Sequence, residues 1–277
     1  DRVLPSLSKF WYVERIGERF FFTKEAGPTK VIDQEAENIP MLKVKRSAVT
    51  VLGSLFASEE KGPFYIEIFP DDPGKVPDDT LPKVAILNPL LGHSISSEDQ
   101  VPTEVASFIL DRDSRGSLRH FKNNTFLLVA REGAWKDLRE SVSKLEAARA
   151  VAEDPEKYGI AQDRKKQLQK TVADYEDAVY KAARATFTYL VYVTRGGRVE
   201  ARAFKANGYG SGVPGQDVLW HVLSDVLYRI EDEPLEPDYI KGETWPSDAK
   251  ESTTKDLFEK VHAKPGVILP KDQSLFE

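Results

Sequence analysis

The sequence predicts an α/β fold with a mainly parallel sheet. Three short apolar runs, Phe64–Phe69, Val84–Leu87 and Phe126–Val129, have the length and composition of strands that are buried on both faces. Helical and loop segments separate these runs, as in a sheet that is covered by helices on both sides. A long, charged helical hairpin, predicted at residues 135–185, interrupts the pattern.

The composition limits the class of protein. The chain has 277 residues, of which 40% are hydrophobic, so it can bury a large core. Its formal net charge of −6 argues against a nucleic-acid footprint over the whole surface, because phosphate binding depends on clustered Lys and Arg. The sequence contains no cysteine, which excludes disulfides and thiolate chemistry. The absence of cysteine suits a reducing cytoplasm, where we expect the protein to be, and with no apolar run of about 20 residues it is not expected to cross a membrane.

The first 60 residues are predicted to form a β-hairpin and a helical connector. Two aromatic runs, Phe10–Val13 and Phe20–Thr23, flank a turn that contains glycine, and both are typical of antiparallel strands. Arg15 and Arg19 are expected near the tip. The hairpin is either the wing of a winged-helix domain, whose helices precede this chain, or a plain hairpin that covers the core.

Residues 61–230 are predicted to form the α/β domain, including the helical hairpin. A loop rich in Pro and Asp, residues 71–79, follows the first strand, and a helix is expected at Val101–Asp111. The aspartates of the loop lack the alternating spacing and the closing Glu of a calcium site, so solubility explains them better than metal binding.

The hairpin consists of two predicted helices, Trp135–Glu153 and Ala161–Ala185, with a break at Pro155. A basic cluster lies at the start of the second helix: Arg164, Lys165, Lys166 and Lys170. One interpretation is a solvated helix face, in which charges of both signs are mixed. The other is a contact for a phosphate backbone or an acidic partner.

After the hairpin, the strands Thr186–Val193 and Val199–Phe204 flank a Gly-Gly pair, which predicts a type I′ turn with positive φ at both glycines. Arg195 and Arg198 are expected at the tip of this turn. A helix is predicted at Asp217–Ile230, where apolar residues recur on one face.

Residues 231–277 are predicted to form an acidic, Pro-containing linker, Glu231–Glu251, and a terminal segment with a short helix at Thr254–His262. Before this region, Gly210–Gly215 has the glycine spacing of a dinucleotide-binding loop. The βαβ context that such a loop needs is missing, so we interpret it as a flexible loop and not as a cofactor site.

No motif in the sequence identifies a catalytic site. A P-loop is absent, and the four histidines are scattered without the spacing of zinc ligands. The alternative to a binding module is a hydrolase or nucleotide-binding enzyme with its site at the carboxyl edge of the parallel strands. The polar residues that follow three of those strands are Asp71, Asp72, Asn88 and Arg131.

Five segments of the chain carry a family resemblance: WYVERIGERFFFTKE, FYIEIFPDDPGKVPDD, KVAILNP, FKNNTFLLVARE and YKAARATFTYLVYVTRGG. In this order they resemble the region that follows the ATPase core in a family of very large prokaryotic P-loop ATPases, encoded in phage-defence islands beside DNA methyltransferases. The resemblance extends over about residues 9–206 and continues more weakly into TTKDLFEKVHAKPGVILP. No single motif is diagnostic; the ordered series carries the resemblance.

The resemblance implies a non-catalytic coupling and interaction module of an ATP-dependent DNA-processing or defence protein. The chain begins with Asp1 and has its only methionine at Met41, which predicts a piece of a longer polypeptide. ATP and Mg²⁺ would then be bound by the ATPase part and not by this chain. The expected partners are DNA, proteins of a defence complex, or the ATPase domain itself. Contacts are expected at Arg15, Arg19, Arg164, Lys165, Lys166, Lys170, Arg195 and Arg198.

Overall fold

The computed structural model describes residues 13–16, 19–22, 27–56, 62–205, 213–231, 233–245 and 251–270. Its α-helices are α1 (Pro28–Glu37), α2 (Met41–Phe56), α3 (Thr103–Leu110), α4 (Trp135–Glu153), α5 (Lys165–Thr186), α6 (Gly215–His221), α7 (Pro237–Thr244) and α8 (Thr254–Ala263). Its strands are β1 (Val13–Ile16), β2 (Arg19–Phe22), β3 (Tyr65–Ile68), β4 (Lys83–Ile86), β5 (Ser94–Ile95), β6 (Thr125–Arg131), β7 (Phe187–Val193), β8 (Val199–Ala203), β9 (Ile230–Glu231) and β10 (Leu269–Pro270).

The main sheet has six strands in the order β3-β4-β6-β7-β8, with β5 paired to β6. The pairs β3–β4, β4–β6 and β5–β6 are parallel, whereas β6–β7 and β7–β8 are antiparallel. The prediction of an α/β fold with a mostly parallel sheet is therefore confirmed. Every residue of β4 is buried, as are the first six of β6, which explains why these strands are uninterrupted apolar runs in the sequence.

The chain divides into two compact units. One comprises Asp1–Val51 and Lys136–Ala183, and the other comprises Leu52–Trp135 and Arg184–Glu277. The second unit contains the main sheet, whose core includes Leu87, Leu127 and Val191. Of the helices in the described ranges, none combines the length and the apolarity that a membrane span requires.

The first unit is built around α4 and α5, which lie between β6 and β7 in the chain. The predicted bounds of α4 are confirmed, and α5 begins four residues later than predicted, after a 3₁₀ turn at Gln162–Arg164. A cluster of buried apolar residues joins the two helices to α1: Val31, Ile32, Ala147, Ala148, Val151, Ile160 and Leu168. Within the same unit, Ser47 Oγ donates a hydrogen bond of 2.9 Å to the buried carboxylate of Glu146.

The turn between β7 and β8 corrects a prediction. The expected type I′ turn needs positive φ at both glycines, but only Gly197 is in the left-handed region, with φ of 73°. Its N–H donates to Thr194 O (2.8 Å), and Thr194 N–H donates to Arg198 O (2.8 Å). This pattern is that of a type I turn closed by a glycine bulge, which adds one residue to the connection.

Of two further predictions about the C-terminal third, one was wrong and one was correct in part. The expected acidic linker Glu231–Glu251 contains the helix α7, which has Pro237 in its first turn, where proline is favoured. The expected helix Asp217–Ile230 is present but ends before its predicted last residue: α6 continues into a π-helical turn at Val222–Val226, and β9 begins at Ile230. Between the π-helical turn and β9 the chain changes direction at Tyr228, which has φ of 51°.

Replacing Tyr228 by glycine is expected to stabilise the fold. A left-handed conformation costs a residue with a Cβ about 1–2 kcal/mol, and glycine is the usual residue where a helix ends in this way. The Tyr228 side chain is 71% exposed, so its removal sacrifices little burial. We expect Tyr228→Gly to raise the free energy of unfolding by about 0.5–1 kcal/mol in urea titrations. Tyr228→Ala keeps the strain and is the matched control, for which no such gain is expected.

Candidate functional site

The basic cluster predicted on the helical hairpin lies at the start of α5. Arg164 ends the 3₁₀ turn and is half-buried, whereas Lys165, Lys166 and Lys170 are exposed. Lys166 and Lys170 are one helical turn apart and therefore share a face of the helix. Lys165 lies about 100° around the helix from Lys166, so the start of α5 exposes three lysines, two of them on one face.

The cations of α4 and α5 differ in their pairing: in the described ranges Lys136 and Arg139 of α4, like these three lysines, form no ion pair. Several cations of the two helices form ion pairs, namely Lys144–Glu140 (2.8 Å), Arg149–Glu176 (2.7 Å) and Lys181–Asp177 (2.6 Å). Among the described side chains, none of Lys165, Lys166 and Lys170 has a carboxylate partner. Their charge is therefore available to an external anion.

The position of the lysines at the start of α5 also favours the binding of an anion. The first turn of α5 carries no acidic residue, and Lys165 and Lys166 occupy it instead. The N-terminus of a helix is the positive end of its dipole, so a cation there is unfavourable by about 0.3–1 kcal/mol. A bound anion would relieve this repulsion, because exposed N–H groups and lysines would face it together.

The two arginines of the β7–β8 turn have different surroundings. Arg195 forms an ion pair with Glu243 of α7, and Lys264 Nζ contacts the same carboxylate at 3.1 Å. Arg198 is exposed. Both side chains are exposed, and of the two predicted contact residues Arg195 is the one that is already paired with a carboxylate.

Arg15 and Arg19 lie on an antiparallel pair of strands. Arg15 is on β1 opposite Phe20, and Arg19 is the first residue of β2, opposite Ile16. The tip between the strands and the side chains of both arginines lie outside the described residues, so these two contacts stay predictions.

The residues named for an enzyme site follow their strands as predicted, but two of them have structural roles. The Asp72 carboxylate accepts from Gly74 N–H (2.7 Å), and the buried Asn88 amide accepts from Leu90 N–H (3.0 Å). Each side chain therefore closes its own loop. Asp71 and Arg131 are exposed. Within the described ranges, no group of three or more His, Asp or Glu side chains is arranged to hold a metal ion.

A cluster of buried polar residues lies at the opposite, amino edge of the sheet. Lys83 opens β4 and is fully buried, and its ammonium group donates to Asp79 O (2.6 Å) and Asn124 Oδ1 (3.3 Å). Its Nζ also lies 3.1 Å from an Asp79 carboxylate oxygen. Burial lowers the pKa of Lys83 to about 8, and the attraction of Asp79 opposes this shift. These contacts hold the strand ends together, and of the three contacting groups the Asp79 carboxylate reaches the surface, with a side chain that is 56% exposed.

Asn123 is the residue that ties the C-terminal segment to this edge. Its Nδ2 donates to Val261 O (2.8 Å) and Val267 O (2.9 Å). Its Oδ1 accepts from the Arg229 guanidinium (2.8 Å) and from Gly266 N–H (2.9 Å). The amide thus makes four hydrogen bonds, which is all that its two donors and two lone pairs allow.

His262 of α8 is packed against the neighbouring Asn124. Its Nδ1 lies 3.2 Å from Asn124 Nδ2, and because an amide nitrogen donates, Nδ1 accepts and Nε2 carries the proton. Nε2 has no hydrogen-bond partner in the described part of the chain. Burial, reinforced by the positive charge of Lys83, lowers the pKa of His262 to about 3. The ring is therefore neutral at pH 7.

Arg119 organises the Pro- and Asp-rich loop. Its buried guanidinium donates to four backbone carbonyls, those of Pro73, Val76, Pro77 and Asp111, at 2.7–3.2 Å. The Asp78 carboxylate accepts from the N–H groups of His120 and Phe121. The loop that the sequence presents as a cluster of carboxylates is thus fixed by internal hydrogen bonds.

These buried polar residues were not predicted from the sequence as a group. The available signal was the Asn-Asn pair directly before the apolar run of β6, since an amide at the end of a buried strand needs partners. The comparisons give no relative to guide the interpretation: no protein-family model, no curated protein and no solved structure matches the chain.

Proposed function

We propose that this chain is a coupling and interaction module that contacts DNA, and that the basic cluster at the start of α5 carries the contact. In this proposal the two long helices α4 and α5 of the first unit carry the contact, and the sheet of the second unit is a rigid scaffold. The observation that carries the proposal is the group of three exposed lysines without a carboxylate partner among the described side chains, at the positive end of a helix.

The wider context of the proposal rests on the family resemblance stated above. In that context the module belongs to a large ATP-dependent defence or DNA-processing protein, works in the cytoplasm and binds no nucleotide itself. The β1–β2 pair would be the wing of a winged helix, with Arg15 and Arg19 as further contacts. Arg198 would add a contact from the β7–β8 turn, whereas Arg195 is less suited because it pairs with Glu243.

The enzyme alternative has weaker support. Asp72 and Asn88 already use their side chains as loop caps, and the polar groups at the amino edge are buried in hydrogen bonds. An active site needs polar groups that can reach a substrate. The structural roles of these polar residues thus favour a binding module over an enzyme.

Reversing the charge of the cluster is expected to weaken DNA binding. Three phosphate contacts contribute about 2–3 to the slope of log K against log salt concentration, because each releases condensed counterions. We expect the triple variant Lys165→Glu, Lys166→Glu and Lys170→Glu to reduce that slope by this amount. The measurement is fluorescence anisotropy with a labelled 20-base-pair duplex and the corresponding single strand, from low to physiological salt.

A second triple variant controls for net charge. Lys205, Lys241 and Lys255 are exposed and lie in the other unit, and their replacement by Glu changes the net charge equally, from −6 to −12. Equal losses in the two variants would show a general charge effect and contradict the proposed contact. An absence of binding by the unmodified chain at low salt would refute DNA as the partner and leave an acidic protein as the ligand of the cluster.

A further inference from the structure

β3 lies at one edge of the main sheet and pairs only with β4 within the described ranges. Tyr65 N–H donates to Pro82 O (2.9 Å), and Phe69 N–H donates to Ile86 O (2.8 Å). Residues alternate in direction along a strand, so the odd-numbered residues of β3 direct their backbone groups towards β4. The N–H and C=O groups of Ile66 and Ile68 therefore point away from the sheet.

An apolar groove of about 350 Å³ runs along this edge. Its lining is mostly apolar and includes one amide: Gly53 and Phe56 of α2, Gly62, Phe64, Tyr65, Ile66, Ile68, the exposed Leu81, and Gln216. Its volume is at the lower end of the range of small-molecule sites and is sufficient for an apolar side chain. The groove lies wholly within the second unit.

Gly53 leaves the groove open, although a larger side chain would fit at this position without a clash. A Cβ at this position would meet only Ile68 Cδ1, at 3.8 Å, which is ordinary van der Waals contact. A helix is less stable with glycine in its interior than with alanine, so helix propensity favours a larger residue at this position. The small residue instead leaves space beside the backbone groups of β3.

The opposite face of β3 carries negative charge. Tyr65 Oη donates to a Glu67 carboxylate oxygen (2.7 Å), and this hydrogen bond, together with burial and the charges of Glu67 and Asp79, raises the pKa of the Tyr65 hydroxyl. A strand added at this edge would have alternate side chains over the groove and over this acidic face. Apolar residues suit the first face, and Lys or Arg suits the second.

We propose that the edge of β3 binds an extended segment of a partner protein as an additional strand, with apolar side chains in the groove and basic side chains beside Glu67. Backbone hydrogen bonds to Ile66 and Ile68 supply the affinity, and the groove and the acidic face select the sequence. This site is on a different unit from the basic cluster of α5 and takes a partner of opposite charge. It does not depend on DNA binding.

The test uses the full 277-residue chain and an end-blocked, fluorescein-labelled heptapeptide of alternating Lys and Val. We expect saturable binding in fluorescence anisotropy, with protection of the Ile66 and Ile68 amides from hydrogen exchange. A peptide with Glu in place of Lys, and one with alternate backbone nitrogens methylated, are expected to bind at least about tenfold more weakly.

Two variants block the site in different ways. Ile66→Pro removes an N–H that points away from the sheet, which an edge strand tolerates, and Gly53→Leu fills the groove. Each is expected to weaken binding at least about tenfold, while the melting temperature shows whether the fold is kept. Thr50→Leu, an exposed position on the same helix, is the control for Gly53→Leu and should bind as the unmodified chain does.

Three results would overturn the proposal. The first is no binding of the Lys-Val peptide at millimolar concentration. The second is binding that folded Ile66→Pro and Gly53→Leu variants retain. The third combines two observations: the peptide does not bind, and sedimentation shows a concentration-dependent dimer that Ile66→Pro abolishes. The edge of β3 would then bind a second copy of this chain.

Discussion

Replacing Asn123 by alanine is expected to lower the free energy of unfolding by about 3–4 kcal/mol, because one truncation removes four hydrogen bonds, three of them buried. The largest part of the loss comes from the partners that stay buried. Among the described residues, the Arg229 guanidinium would keep its hydrogen bond to Val193 O, at 3.3 Å, and the carbonyls of Val261 and Val267 would lose this donor.

The loss should appear first in the C-terminal segment. Hydrogen exchange of the α8 amides is expected to accelerate by roughly two to three orders of magnitude, since each 1.4 kcal/mol corresponds to a factor of ten. The matched control is Asn38→Ala, in which the exposed amide loses a single hydrogen bond to Gln34 O and stability changes by no more than about 0.5 kcal/mol. Equal costs for the two variants would show that Asn123 does not hold the segment.

Acid is expected to destabilise the fold through His262. The pKa of this ring is about 3 in the folded protein and about 6.5 in the unfolded chain. Between these values the unfolded state binds more protons, so stability is complete above pH 6.5 and falls as the pH decreases towards 3. The contribution lost between pH 7 and pH 4.5 is on the order of 2–3 kcal/mol.

The His262→Phe variant separates this contribution from that of the carboxylates. Phenylalanine keeps the ring but cannot bind a proton, and Asn124 Nδ2 keeps its contacts with Asp79 O and Leu81 O. We expect urea titrations from pH 7 to pH 4.5 to give a smaller loss of stability for this variant than for the unmodified chain. Phe258→Leu changes the packing beside the ring, 4.4 Å away, and should lower stability without changing its pH dependence. Identical slopes for His262→Phe and the unmodified chain would contradict the assignment.

The strands and long helices could be predicted because their signals are local. β4 and β6 are buried on both faces and therefore read as continuous apolar runs, and α4 carries a helical period between a tryptophan and a proline. The hairpin of β7 and β8 could be predicted from the sequence, but the type of its turn could not. A Gly-Gly pair fits several hairpin turns, and the additional bulge residue depends on the register of the flanking strands.

The polar cluster could not be predicted, because burial is a property of the fold and not of the residue. Lys83 and Arg119 are ordinary charged residues in the sequence, and charged residues are rarely fully buried. Arg119 is satisfied by backbone carbonyls more than 40 residues away, and Lys83 by the nearby Asp79 together with the distant Asn124 side chain. The pairing of β9 with β10, across a long stretch of chain, also has no local signal.

The contacts of Asn123 also determine how late during translation the sheet domain can complete its folding. The amide donates to Val267, which follows it by 144 residues. At about 5–20 residues per second, a ribosome needs roughly 7–30 s to add those residues. During that interval the amino edge of the sheet lacks the segment that covers it, and its amide and guanidinium groups must be hydrated. The sheet domain can therefore acquire its final stability only at the end of translation of this region, and a chaperone that protects nascent chains would meet it in this open form.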